Sequence, residues 1–286
     1  MDPNPLNAVV IPSVWHDELV DVKKYWYASV LLVALCLLFY FWILPMVENP
    51  QIFLIPFFAI VAFIYYISRK AEGQFMKQVG TALGYTYFDS APMTSVMGTL
   101  FSFGHGQTLS FVLSGQYATL PVRIYYYSTT VGSGKNSHTY TFTVFEITYP
   151  YDMPHVILCK KEGFWTSLSE GNYHSFPGGE MTTLEGNFSK YFSLCGEKGL
   201  ETETYEIFTP DVMQTILDKT PKVNFELCKN KLYVYTLEAV SKKEDMVSLY
   251  DGAITLLQSL STHFKEVSAD TDAMTKEHST LSGVRL

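Results

Sequence analysis

The chain has 286 residues, 20 lysines and arginines against 28 acids, a net charge of -8, four cysteines and 15% aromatic residues. That composition excludes a disordered, collagen-like or disulfide-dense chain. The charge is unevenly placed: residues 1–68 hold two lysines and five acids around two long uncharged runs, so the sequence reads as a membrane protein with a soluble part.

In the amino-terminal arm, 1–24, Trp15, Leu19 and Val22 continue to Trp26 at helical spacing, while Asp17, Glu18 and Asp21 fall elsewhere. This pattern fits an interfacial amphipathic helix or an extension of the span that follows. Residues 25–47 carry no formal charge over 23 positions, and a helix of that length reaches roughly 34 Å, against about 30 Å of hydrocarbon. The 20 residues 49–68 form a second uncharged run containing IFLIPFFAIVAFIYYI. Pro45 and Pro50 disfavour one continuous helix, so the expectation is a two-helix transmembrane hairpin, 25–47 and 49–68. The acid-rich residues before the first run are the wrong leader for a cleaved signal peptide. Lys23 and Lys24 before the hairpin and Arg69 and Lys70 after it place both termini and the soluble domain in the cytoplasm. Neither run contains Asp, Glu, Lys, Arg or His, so the hairpin reads as a lipid anchor without a proton or ion path.

The soluble part is expected over 69–266, followed by a flexible tail, 267–286. A helix leaves the membrane through Phe75, Met76, Val79 and Leu83 and stops at Gly84. Strand patterns follow at 109–113, 120–127, 140–149 and 155–159, with TTVGSGKNSH as a hairpin connection. Residues 205–208 read as another strand. Thr209 as N-cap and Pro210 at the first helical position open a helix. The segment VNFELCKNKLYVYTL reads as a second hairpin turning at 228–231. Met246, Tyr250, Ala253, Leu257, Leu260 and Phe264 give a helix with one stripe to bury against a sheet. Antiparallel hairpins flanked by helices make an α+β domain with a mainly antiparallel sheet. Two subdomains divided near 160–183 remain an alternative.

Chemistry is sparse. Residues 69–286 carry about five more acids than bases and no long basic cluster, which argues against nucleic acid as a partner. Gly132-Ser133-Gly134-Lys135 fails the phosphate-loop pattern, since Thr129 stands where glycine is needed and Asn136 where Ser or Thr is needed. Cys36, Cys159, Cys195 and Cys228 form no CxxC pair and have no His at ligand spacing, so they read as small core residues, with no metal or cofactor expected. His155 reads as a structural imidazole at a strand entrance, and His105 as a loop residue. No carboxylate pair stands at a spacing that forces shared geometry, so no catalytic residue is assigned. The stretch 160–179 brings Lys160, Lys161, Phe164, Trp165, Tyr173, His174 and Phe176 together with glycines, and is the candidate interaction loop for a protein partner.

The run VRIYYYSTTVGSGKNSHTYTFTVFEI, then MPHVIL, LEGNFSKYF, YEIFTPDVMQTIL and NKLYVYT, resembles a family of uncharacterised bacterial membrane-anchored proteins, in which two amino-terminal spans precede a domain of unknown function. The likeness covers roughly 70–265 and implies a multi-pass protein of the bacterial inner membrane. It carries no assigned catalytic residues. The function expected is a non-catalytic binding or scaffold module at the membrane; the alternatives are an enzyme acting on a membrane-proximal substrate, or a lipid- or small-ligand-binding domain.

Overall fold

The computed structural model describes residues 4–9, 11, 30–31, 33–38, 54–161, 178–182, 184, 187–219 and 224–261. The amino-terminal arm beyond residue 11, most of the run 25–47, the first part of the run 49–68 and the tail expected at 267–286 lie outside the described residues. The chain divides into two compact units, Met1–Leu83 with Ser241–Lys243, and Gly84–Val240 with Glu244–Leu286.

In the first unit a short 3-10 turn, Pro5–Ala8, is capped by Asn4, whose Oδ1 accepts the Leu6 N–H at 2.9 Å. Residues 30–31 and 33–38 are helical, and a 30-residue helix, α1 (Leu54–Leu83), follows. Among the described residues no helix is long and apolar enough to cross a membrane. Several apolar side chains of these helical segments are nevertheless exposed: Leu31, Leu35, Leu37 and Leu38, and on α1 Phe58, Val61, Ile64, Tyr65 and Tyr66. Further along α1 the pattern reverses, and Ala71, Phe75, Met76 and Val79 are buried. The helix ends at Leu83, before Gly84 at φ +71°, as its sequence anticipates.

The second unit is α+β. Its antiparallel sheet comprises β1 (Thr86–Ala91), β2 (His105–Tyr117), β3 (Leu120–Val131), β4 (His138–Lys160), β5 (Gly179–Thr182), β6 (Phe192–Glu197) and β7 (Asn224–Thr236). The order is β1-β2-β3-β4-β6-β5, with β7 on β4 as well. The 23-residue β4 is the spine. β3 pairs with its first half and β6 with its last five residues, while β7 runs along the opposite edge of both halves.

Three sequence expectations are corrected. The strands expected at 140–149 and 155–159 are one strand, β4, and the expected hairpin at 228–231 is the middle of one strand, β7. The two corrections share a cause. Between Thr148 and Val156 the β4–β7 register slips, and Lys229 has a positive φ of 52°. These β-bulges shift the phase of the inward-facing residues from 144 and 146 to 157 and 159 on β4, and from 233 and 235 to 226 on β7, and a break in alternation looks like a turn in a sequence. Pro150 and Pro154 fall inside the slipped stretch, where ladder N–H groups are dispensable. Third, 205–208 is not a strand; helix α3 (Glu201–Ile207) follows the one-turn α2 (Phe188–Tyr191).

Helix α4 (Pro210–Lys219) starts where Thr209-Pro210 predicts, and the Thr209 carbonyl accepts the Met213 N–H at 2.9 Å. The Thr209 hydroxyl does not cap; it is buried without a partner among the described residues. Stacking of Phe208 on Phe225, with centroids 5.6 Å apart, joins this helical edge to β7. A last helix, α5 (243–261), buries Met246, Leu249, Tyr250, Ala253, Leu256, Leu257 and Leu260. Tyr250 meets Phe145 edge-on at 5.5 Å, so α5 covers one face of the sheet as its stripe requires.

The other face is aromatic: Tyr125, Tyr127, Phe142, Tyr233 and Tyr235 are buried there with Ile157, Cys159 and Cys195. Burial pushes the Tyr127 hydroxyl up to about 12 and holds those of Tyr125, Tyr233 and Tyr235 well above their ordinary value. The unfolded chain therefore loses these protons first as pH rises. Their contribution to stability is complete below about pH 10 and is lost progressively above it, by about 1 kcal/mol per pH unit for each tyrosine. Urea midpoints of the purified chain should be level from neutrality to about pH 9 and fall steeply beyond about pH 10; a level midpoint through pH 11 would contradict the buried tyrosine layer.

Candidate functional site: two buried carboxylates beneath a strap

The segment 92–104 leaves β1 and crosses the aromatic face before β2 begins, lying over the sheet as a strap. A chain laid over a sheet face must find partners for its backbone polar groups away from water. They come from the sheet below. The Glu226 carboxylate, 1% exposed, accepts the Thr99 N–H at 2.5 Å and the Leu100 N–H at 3.0 Å. The Tyr233 hydroxyl accepts the Met97 N–H at 3.2 Å, and the Thr129 hydroxyl donates to the Phe103 carbonyl at 2.9 Å. Phe101 seats the strap between Tyr127 and Tyr233, edge-on to both at 4.9 Å. Gly98 lets the strap come this close: it sits at φ +116°, and a Cβ there would stand 2.8 Å from Glu226 Oε1.

A second carboxylate lies in the next part of the same face. Glu146, also 1% exposed, is paired across the ladder with Arg123 on one side and Tyr233 on the other. Arg123 Nη2 donates to its Oε2 at 2.6 Å, the Tyr125 hydroxyl donates to the same oxygen at 3.0 Å, and Lys231 Nζ bonds Oε1. Burial alone would depress the Arg123 guanidinium; the Glu146 carboxylate beside it holds it above its ordinary value. Arg123 also reaches the strap, donating to Ser95 Oγ at 3.0 Å and the Ser95 carbonyl at 2.9 Å, and it lies 5.6 Å from the Tyr125 ring centre.

At the bulge, His155 Nε2 is 2.7 Å from Glu226 Oε1. Continuing the pairing Val156↔Leu227 and Ile157↔Glu226 by one step sets His155 beside Cys228, and continuing Val156↔Gly196 sets it beside Glu197 on the other edge. Glu197 Oε2 accepts the His155 backbone N–H at 3.3 Å. Ligand atoms of His155, Glu226 and Cys228 all lie within 4.8 Å of one another. Cys228 is a free, half-buried thiol that burial, then the Glu226 carboxylate, push up to about 11. Cys159 is fully buried and pushed higher still, again by burial first. Both thiols are protonated at neutral pH, which is the opposite of an activated nucleophile.

Of the residues singled out in the sequence, His155 is the one that enters this cluster with Cys228, and it sits inside β4 rather than at a strand entrance. Cys159 and Cys195 are core residues, as expected. Gly134-Lys135 lies in a 3-10 turn of the β3–β4 connection, and His105 is an exposed first residue of β2. Of the interaction loop, Lys160 donates its backbone N–H to Asn224 Oδ1 at 2.8 Å, and Lys161 bonds the Tyr191 and Ser189 carbonyls. Phe164, Trp165, Tyr173, His174 and Phe176 lie outside the described residues. Glu146 and Glu226 were missed because no short spacing announces them. The available signal was an acid at the inward position of an alternating strand, after Phe142 and Val144 in one case and amid the apolar run of β7 in the other.

Replacing Glu146 by Gln leaves Arg123 and Lys231, whose side chains are 20% and 13% exposed, against a neutral partner. Uncompensated charges in such a site cost about 3–5 kcal/mol. Denaturant unfolding of Glu146→Gln should register a loss of that size; a change within about 0.5 kcal/mol, typical of surface substitutions, would contradict the burial of this network.

No protein-family model matches the chain, and no curated protein matches it. Among solved structures it is similar to the crystal structure of the mycobacterial trehalose monomycolate transport factor A, TtfA, at 12% identity and a TM-score of 0.48, over 66% of this chain and 96% of that one.

Proposed function

We propose that the chain is a bacterial inner-membrane protein in which the hairpin of runs 25–47 and 49–68 tethers a non-catalytic binding domain on the cytoplasmic side. The observation that carries the tether is the exposed apolar surface of helical residues 30–31 and 33–38 and of α1 from Phe58 to Tyr66. An apolar patch of this extent is unfavourable in water and suited to lipid. Arg69 and Lys70, directly after it, support the cytoplasmic side, and so does the resemblance to membrane-anchored bacterial proteins.

The non-catalytic reading rests on how the polar groups are engaged. Glu226 is engaged by the strap amides and His155, Glu146 by Arg123, Tyr125 and Lys231, and the Cys228 thiol and Tyr125 phenol keep their protons at neutral pH. The partner contact is assigned to the stretch 160–179, with a protein as partner and no nucleic acid. Two results test the proposal. The full chain should stay with membranes through alkaline carbonate extraction, and a tag after Leu286 should resist protease in spheroplasts until they are lysed. Extraction of the chain would remove the tether, and digestion before lysis would reverse the topology. A partner set unchanged by deletion of 160–179 would overturn the loop assignment.

A further inference from the structure

We propose that His155, Glu226 and Cys228 form a binding site for a divalent transition-metal ion, with Zn2+ as the ion that suits the donor set. Cross-strand geometry makes the site. Glu226 and Cys228 are two apart on β7, and carrying the Val156↔Leu227 pairing on by one step, into the register slip, sets His155 beside Cys228. One imidazole nitrogen, one carboxylate oxygen and one sulfur then converge within 4.8 Å. Nitrogen and sulfur with one hard oxygen is a donor set that Zn2+ accepts, whereas Mg2+ and Ca2+ call for oxygens throughout.

The fit needs only small movements. Bonds of about 2.0 Å to nitrogen and oxygen and 2.3 Å to sulfur, at tetrahedral angles, space the ligand atoms by about 3.3–3.5 Å. The His155–Glu226 pair must open by about 0.6 Å from its 2.7 Å separation to reach that spacing, and Cys228 Sγ must close inward by a side-chain rotation. Glu226 Oε1 keeps the Thr99 N–H on one lone pair and offers the other to the ion, so the strap amides act as outer partners that fix the carboxylate. The proton count is simple: the Cys228 thiol gives its proton to solvent on binding, and the imidazole carries its proton on Nδ1, leaving Nε2 to ligate.

A second carboxylate stands at the edge of the cluster: Glu197 Oε2 accepts the His155 backbone N–H at 3.3 Å, while Glu226 Oε1 lies 2.7 Å from the imidazole Nε2. A divalent ion held by His155, Glu226 and Cys228 would place positive charge beside these two acids. The site lies at a break in the β4–β7 ladder, the kind of position where bulges re-aim side chains.

The test uses the full chain without a histidine tag, in non-ionic detergent, with Co2+ alone as the probe. Saturation should occur at one ion per chain, with a thiolate-to-cobalt charge-transfer band. Cys228→Ser should abolish the band, His155→Gln should weaken Co2+ binding at least tenfold, a loss of the size removal of a ligand's support brings, and Cys195→Ser should leave both unchanged. A saturating titration without the band, or a band that survives Cys228→Ser, overturns the proposal. Because a substituted chain can fail to fold, the unsubstituted chain supplies an independent reading: Zn2+ should protect Cys228 from alkylation, mapped by mass spectrometry, and a chelator should restore its reaction. Equal alkylation with and without Zn2+ overturns the proposal. None of these outcomes depends on the membrane placement or on the loop partner.

Discussion

The second unit depends on a carboxylate that water does not reach. Taken alone, a buried Glu226 side chain is a liability, since removing a charged group from water costs several kcal/mol unless donors replace the solvent. Two backbone N–H groups of the strap and the His155 imidazole replace it. The same bonds solve the strap's own problem, because Thr99 and Leu100 would otherwise carry unpaired N–H groups into an aromatic layer. Neither half of the arrangement is stable without the other. That reciprocity explains why Gly98 stands where any Cβ would collide with the carboxylate.

Glu146 plays the complementary part a few residues away. Where Glu226 faces backbone donors, Glu146 faces two cations and a phenol, and Arg123 carries the connection onward to Ser95 on the strap. The strap is thus pinned at Ser95 by a cation, near Met97 by Tyr233, at Thr99 and Leu100 by a carboxylate, and at Phe103 by Thr129. Between these polar pins Phe101 fills the space over three tyrosines. Polar anchoring around an aromatic contact fixes both the register of the strap and its height above the sheet. Buried networks of this kind give a single arrangement when every member is satisfied.

The parts of this fold legible in the sequence are those governed by local rules. The β2–β3–β4 succession follows from alternation broken by turn residues, α4 from Thr209-Pro210, and α5 from a stripe that has one sheet face to cover. The parts that were not legible depend on long-range pairing. β4 and β7 read as two strands and a hairpin because their bulges shift alternation in the way a turn does, and only the partner strand makes each continuous. Tyr205 to Phe208 looked like a strand by residue type, yet Tyr205–Ile207 form the end of α3, where Ile207 is buried, and Phe208 just after it stacks on Phe225. The site was hidden for the same reason. His155, Glu226 and Cys228 are 71 and 73 positions apart in the chain at their widest and come together only through the register of β4 on β7. A spacing rule for metal ligands cannot detect a set built across strands.

Native-state hydrogen exchange of the Thr99 and Leu100 amides tests the central claim most directly, in the unsubstituted chain and in Glu226→Gln. If the buried carboxylate holds the strap, both amides exchange as slowly as those of the β3–β4 ladder, and both accelerate by orders of magnitude in the variant while the ladder amides change far less. Exchange at the rate of an open loop in the unsubstituted chain, or protection that is indifferent to Glu226→Gln, would contradict it.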